Sequence, residues 1–314
     1  MKFKVLVTAP YMQPVINDYM DIFESNEIEV ILPLVKERLS EKELLALMED
    51  IDGVISGDDE FTAKVLRSAP KLKVISKWGT GIDSIDQEVA KGLGIAVRNT
   101  LNAFTEPVAD QVLGYILCFA RKIPWINDDM HSGAWNKLDC FSLLNHTFGV
   151  IGVGNTGKAS IKRAMGFQMK LLGCDMVEMP AQFLAETGIK IVDKETLLRE
   201  SDFVSLNCDL NPTSYHIMGA DEFRLMKPTA YFINTARGPL VDEPALIAAL
   251  QNRQITGAAL DVFEDEPLPV NSALRSMSNV LLSPHNANSS HEHWERIHKS
   301  TLAHLLEELQ RERT

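Results

Sequence analysis

The chain has 314 residues, enough for two domains of ordinary size and too many for one small core. With 45% hydrophobic and 24% charged residues it reads as a globular protein, and a net charge of −12 speaks against an electrostatic nucleic-acid binder. No apolar run approaches the roughly 18 residues a membrane helix needs, so no membrane partner is expected.

The N-terminal "MKFKVLVTAP" alternates as a first strand does and lacks the apolar stretch of a signal peptide. "IEVILP", "DGVISG", "LKVISKW" and "GIAVRN" read as four more short strands. Helical stretches lie between them, among them "SEKELLALMED", where Ser40 and Glu43 have capping-box spacing. Pro14 and Pro107 each stand near a helix start, where a missing N–H is harmless. A long helix is predicted from about Glu106 to Arg121, followed by an irregular polar stretch, "NDDMHSGAWNKLDCFSLLNH". "TFGVIGVGNTG" then opens a second βαβ series that runs to "NVLLSPH", and residues from about His291 to Gln310 are helical in pattern. Alternating strands and helices predict α/β architecture with parallel sheets, in two domains with the second inserted into the first. Cys118, Cys140, Cys174 and Cys208 form no CxxC or metal-like spacing, so no metal is expected, and most sit in apolar contexts as small buried thiols. The cytoplasm is the expected compartment.

Chemistry first shows in "VIGVGNTGKAS", where Gly152-x-Gly154-x-x-Gly157 follows an apolar strand and opens a helix. Gly152 allows the tight turn, Gly154 lets a pyrophosphate near the backbone, and Gly157 lets helix and strand pack closely. The helix N-terminus offers N–H groups to phosphate. Glycines in such a turn can also be purely structural. The next strand, "MKLLGCDM", ends in Asp175, eighteen residues past Gly157 and near the ~20-residue offset of a ribose-binding acid. A carboxylate there would accept the ribose hydroxyls and repel a 2′-phosphate, which predicts NAD as cofactor.

Three further residues suit a hydride-transfer site for a hydroxy acid. Arg237, in "INTARGPLVDE", can grip an oxyanion through two parallel hydrogen bonds. His285, in "LLSPHNANSS", can shuttle a proton near neutral pH, and Glu266, in "LDVFEDEPLP", can stabilise its imidazolium. Each has a plainer alternative. Arg237 can pair with Asp242 or Glu243, His285 can belong to a Ser-Pro-His turn, and Glu266 can be one surface acid beside Glu264 and Asp265.

From "KWGTGIDSID" through "GVIGVGNTG", "SDFVSLNCDLNPTS", "INTARGPLVDEPAL" and "GAALDVFEDEPLP" to "LLSPH", the chain resembles the D-isomer-specific 2-hydroxyacid dehydrogenase family nearly end to end. The resemblance implies Rossmann-like and flavodoxin-like parallel-sheet domains. Residues 1–100 with 287–314 would form the substrate domain, and 101–286 the NAD-binding domain inserted into it. It places Arg237, Glu266 and His285 on the family's catalytic arginine, glutamate and histidine. Asn155 and Thr156 fall at the pyrophosphate, Cys208, Thr235 and Ala236 near the adenine and nicotinamide halves, and Asp261 on the acid that holds the carboxamide. Trp78, Gly79 and Thr80 fall on the loop whose amides face the substrate carboxylate, with Thr80 also near the cofactor. Lys77 and Lys137 stand near basic positions of phosphoglycerate-type relatives.

The implied activity is NAD-dependent interconversion of small anionic D-2-hydroxy acids and 2-keto acids by a homodimer. Several positions depart from the family's pattern: Asn286 in "NANSS", at the substrate or nicotinamide edge, Asp209, Asp110, and "LLNHTFG" before the glycine loop. Phosphoglycerate dehydrogenase proper and a nucleotide-sensing corepressor-like scaffold remain alternatives. Glu266 argues against formate dehydrogenase, whose relatives usually carry glutamine there. No appended regulatory domain is expected past Thr314.

Overall fold

A computed structural model describes residues 3–311, which divide into two compact units, one within Met1–Phe104 and Ser290–Thr314, the other Thr105–Ser289. The first unit holds β1 (Phe3–Val7), β2 (Ile28–Ile31), β3 (Gly53–Ser56), β4 (Val74–Lys77) and β5 (Ala96–Arg98). They form one parallel sheet in the order β2-β1-β3-β4-β5, the flavodoxin-like arrangement. Val5, Leu6, Val54, Ile55, Val74 and Ile75 are buried on both faces, which is why these strands read as continuous apolar runs instead of alternating. The predicted capping box forms: the Ser40 N–H donates to Glu43 Oε2 at 2.9 Å. The helix His291–Gln310 returns the chain to this unit, burying Ile297, Leu302, Leu305 and Leu309 in its core.

The second unit carries β6 (Thr147–Ile151), β7 (Lys170–Cys174), β8 (Lys190–Ile191), β9 (Phe203–Leu206), β10 (Tyr231–Asn234), β11 (Gly257–Leu260) and β12 (Val280–Leu282). Their order is β12-β11-β10-β9-β6-β7-β8, all parallel. From β6 the chain winds outward through β7 and β8, then crosses back to lay β9 on the other side. The loops after β6 and β9 therefore part at a topological switch point, where open α/β sheets bind ligands. The helix Thr105–Arg121 packs beneath, with Phe119 stacked on Tyr231 at 4.5 Å.

The stretch expected to be irregular after Arg121 is partly helical, from Ile123 to His131. Lys122, at φ 54°, breaks the preceding helix, and Pro124 supplies the preset φ of a new first turn.

Candidate active site

Arg237, Glu266 and His285 follow β10, β11 and β12, at the carboxyl ends of three adjacent strands. β10 ends in Asn234, which is buried; its Nδ2 donates to Arg237 O at 2.8 Å and its Oδ1 accepts the Ala236 N–H at 3.0 Å. That side chain fixes the turn before the arginine, whose Nη1 donates to Ala236 O at 2.9 Å. The next residue must be glycine: a Cβ on Gly238 would lie 1.8 Å from Phe263 O. Only a bare backbone lets the arginine loop lie against the loop that carries Glu266.

Glu266 Oε1 accepts the Phe263 N–H at 3.0 Å, and Oε2 lies 2.9 Å from His285 Nδ1. His285 sits at φ 48°, an uncommon conformation for a non-glycine residue. Asp261, almost wholly buried, holds the histidine's turn there. Its backbone oxygen accepts the His285 N–H at 2.7 Å, and its two carboxylate oxygens accept the N–H groups of Asn286 and Ala287 at 2.9 Å each. The charge of Asp261 also reaches Tyr115, whose hydroxyl burial first, and then that charge, push up to about 12.

Asp242 caps the helix Glu243–Gln251 through the Ala245 N–H at 3.0 Å, and Glu243 faces the Glu264 loop. Glu264 holds His216 Nε2 at 2.8 Å and the Glu243 N–H at 3.4 Å, so Glu264 and Glu266 are separately engaged.

At the switch point, Gly152 has φ 91°, and a Cβ on it would stand 2.5 Å from the Cys208 nitrogen. Gly157 lies against Gly152 O in the same way, at 2.2 Å, and the helix Asn155–Met165, whose first turn includes Thr156, begins between them. Asp175 serves this turn directly: Oδ2 accepts the Val153 N–H at 2.6 Å and Oδ1 the Val177 N–H at 2.8 Å. Burial pushes the Cys208 thiol up to about 11, so it is a neutral neighbour of the turn.

In the other unit, Lys77 ends β4 and is almost fully buried, with Nζ 3.2 Å from both Asp58 Oδ1 and Trp78 O. Trp78 serves the core: its N–H donates to Ser56 O at 2.9 Å, its Nε1 donates to His298 Nδ1 at 2.9 Å, and its ring stacks on Tyr11. It has no amide left to offer a substrate. Gly79, at φ 126°, makes the turn, and Thr80 Oγ1 is tied to Thr100 O at 3.0 Å and to the Ala103 N–H at 3.3 Å. Lys137 is exposed in the segment after the helix Ile123–His131.

Residues 113–287 match the NAD binding domain of D-isomer specific 2-hydroxyacid dehydrogenases. The chain belongs to that family. A glyoxylate reductase of Thermococcus litoralis is 40% identical over 259 residues, covering 79% of this chain and 78% of that protein. A D-3-phosphoglycerate dehydrogenase of Methanocaldococcus jannaschii is 37% identical over 92% of this chain but only 54% of its own length. Among solved structures, the D-lactate dehydrogenase of Aquifex aeolicus, complexed with NAD and lactic acid, has a TM-score of 0.86 at 26% identity, covering 96% of this chain and 93% of that one.

This chain is thus an NAD-dependent dehydrogenase acting on 2-hydroxy and 2-keto acids. Its residues fit the dinucleotide. The Cβ position of Gly154 meets nothing within 4 Å, which leaves the approach to the helix N-terminus clear. Each Asp175 oxygen keeps a lone pair beyond its backbone contact. Thr235 Oγ1 and Asn207 Oδ1, both buried at strand ends, have no hydrogen-bond partner within the protein.

Sequence reasoning passes over Asn207 and Asn234. Both stand where an apolar strand closes on asparagine, "VSLN" and "YFIN", and that repeated ending is the signal that could have found them.

Proposed function

We propose that this dehydrogenase reduces small unphosphorylated 2-keto acids of the glyoxylate and hydroxypyruvate type to D-2-hydroxy acids. The observation that carries the proposal is the 2.9 Å pair of Glu266 and His285 on a loop packed against the arginine turn. Glu266 faces Nδ1, so that nitrogen carries the bound proton and Nε2 is the one that exchanges. Arg237 would hold the substrate carboxylate and polarise the keto oxygen. Protonated His285 would give its Nε2 proton to that oxygen, while the Glu266 carboxylate, 2.9 Å from Nδ1, would steady the imidazolium. The hydride comes from the bound reduced nicotinamide. In oxidation, neutral His285 would take the hydroxyl proton.

We assign the unit Thr105–Ser289 to NAD, with the turn 152–157 and Asn155 and Thr156 at the pyrophosphate, Asp175 at the ribose, and Cys208, Thr235 and Ala236 near the adenine and nicotinamide halves. The Lys77–Thr80 loop would contact the substrate, with amides from Gly79 and Thr80. Exposed Ile123, Met130, Trp135, Leu138 and Leu144 crowd one segment, which favours a homodimer covering it. Four free cysteines suit a reducing compartment such as the cytoplasm. Among the described residues, no helix is long and apolar enough to cross a membrane.

The test is steady-state turnover with NADH on glyoxylate, hydroxypyruvate, phosphohydroxypyruvate and pyruvate. The first two should give the highest kcat/KM. NADH binding without turnover on any of them would point to a nucleotide-sensing scaffold instead.

A further inference from the structure

We infer that Asp58 is a specificity residue that masks the Lys77 ammonium, so that the enzyme selects keto acids lacking a second anionic group. This deepens the proposal above and rests on its placing the Lys77–Thr80 loop at the substrate. Lys77 closes β4 with its side chain only 5% exposed. An ammonium in such surroundings is costly to leave unpaired. Asp58 Oδ1, 3.2 Å away, supplies the opposite charge from a side chain that is itself 31% exposed.

The aspartate is not a swinging surface group, because the residues around it are pinned. Asp59 is fully buried, and its carboxylate accepts the N–H groups of Gly57 at 3.0 Å and Leu39 at 2.7 Å, together with the Thr8 hydroxyl. The Glu60 N–H donates to Leu39 O at 3.1 Å, and Glu60 Oε2 accepts the Glu41 N–H at 3.0 Å. The run "GDDE" therefore spends one acid on its own loop, one on a helix start and one on the lysine.

The pair also lies in a telling place. It follows the carboxyl ends of β3 and β4, the side on which parallel sheets bind ligands, and Nζ stands 3.7 Å from where a Cβ on Gly79 would be. An unmasked lysine there would attract a phosphate or second carboxylate on the substrate tail. With Asp58 in place the pair is neutral, and an anionic tail must displace a fixed carboxylate and meet its repulsion. A short uncharged tail meets neither obstacle.

The test compares kcat/KM for phosphohydroxypyruvate and hydroxypyruvate in the wild type, in Asp58→Asn, and in Asp58→Asn combined with Lys77→Met. The ratio of phosphorylated to unphosphorylated substrate should rise about tenfold or more in Asp58→Asn, the scale of one partly screened charge contact. It should fall back toward the wild-type value in the double variant. Asp58→Ser, which keeps an acceptor beside Lys77, gives the same comparison if the asparagine variant folds poorly. An unchanged ratio in an enzyme that still reduces hydroxypyruvate would overturn the inference. So would a rise that persists without Lys77, or a wild type that already prefers the phosphorylated acid. A wild type that turns over neither acid would instead remove the substrate reading, and this inference with it.

Discussion

His285 and Glu266 show how much a single contact decides. Imidazole alone is a weak specification, and the proposed exchange at Nε2 depends on the Glu266 carboxylate 2.9 Å from Nδ1. His285→Ala should lower kcat by ~10²–10⁴-fold while NADH binding, measured by fluorescence titration, stays close to wild type. Arg237→Ala should raise KM and lower kcat together, and Arg237→Lys should restore little, because a point charge cannot reproduce the planar fork. Asp175 holds the N–H groups of Val153 and Val177, and the proposed function gives it the ribose as well. Asp175→Ala should therefore weaken NADH in absolute terms as well as narrow the gap in kcat/KM between NADH and NADPH. A variant that loses only the discrimination would show that the backbone contacts do not support the turn.

Elements matter here through the loops that leave them. The loops after β10 and β11 meet backbone to backbone at Gly238 and Phe263, and the reciprocal contacts of Glu243 and Glu264 tie them again. Gly238→Ala removes no proposed catalytic group yet must push the two loops apart and displace Arg237. Overpacking of this kind costs about 1–3 kcal/mol of stability, and a misplaced arginine should cost about 10²-fold in kcat. Chemical denaturation and turnover on the same sample would check both.

Burial, and then the charges of Glu264 and Asp265, hold the Glu243 carboxyl above the usual carboxylate range. A carboxyl raised in the native state costs nothing at low pH, where it is protonated folded and unfolded. The cost grows as pH rises from the usual carboxylate range through the folded value, and is complete above that. Glu243→Gln should therefore raise Tm by about 1–2 °C at neutral pH, with screening by solvent keeping the gain small. The gain should vanish near pH 4; a gain of equal size at both pH values would contradict this origin.

At the scale of the whole molecule, the first unit is discontinuous in sequence. Its sheet comes from the start of the chain, but part of its core comes from the helix His291–Gln310. Leu305 is fully buried there, and a Cβ on Gly53 of β3 would stand only 2.9 Å from its Cδ1. Leu305→Ala should destabilise this unit by about 2–5 kcal/mol, read as an earlier unfolding transition in urea. Loss of less than about 1 kcal/mol would mean that the helix is not an integral layer of the core.

Much of this was legible in the sequence because the signals are local. Strands such as "LKVISKW", the glycine loop and the helix from His291 to Gln310 each follow from periodicity or turn chemistry within a few residues. Arginine, glutamate and histidine announce themselves by type, since few side chains can grip a carboxylate or exchange a proton near neutral pH. Which groups meet was settled only by the tertiary structure. Glu266 lies 19 residues before His285 and reaches it because β11 and β12 are neighbours. Asp261 and Gly238 set the turns through contacts that no local pattern reveals. Trp78 looked like a substrate contact and is core, because its amide is bonded to β3 and its indole to a helix more than two hundred residues away. Lys77 stands near a basic position of phosphoglycerate-type relatives, and its ammonium is paired with Asp58. Local sequence sets what a residue can do; the order of strands and the closeness of their loops decide what it has to do it with.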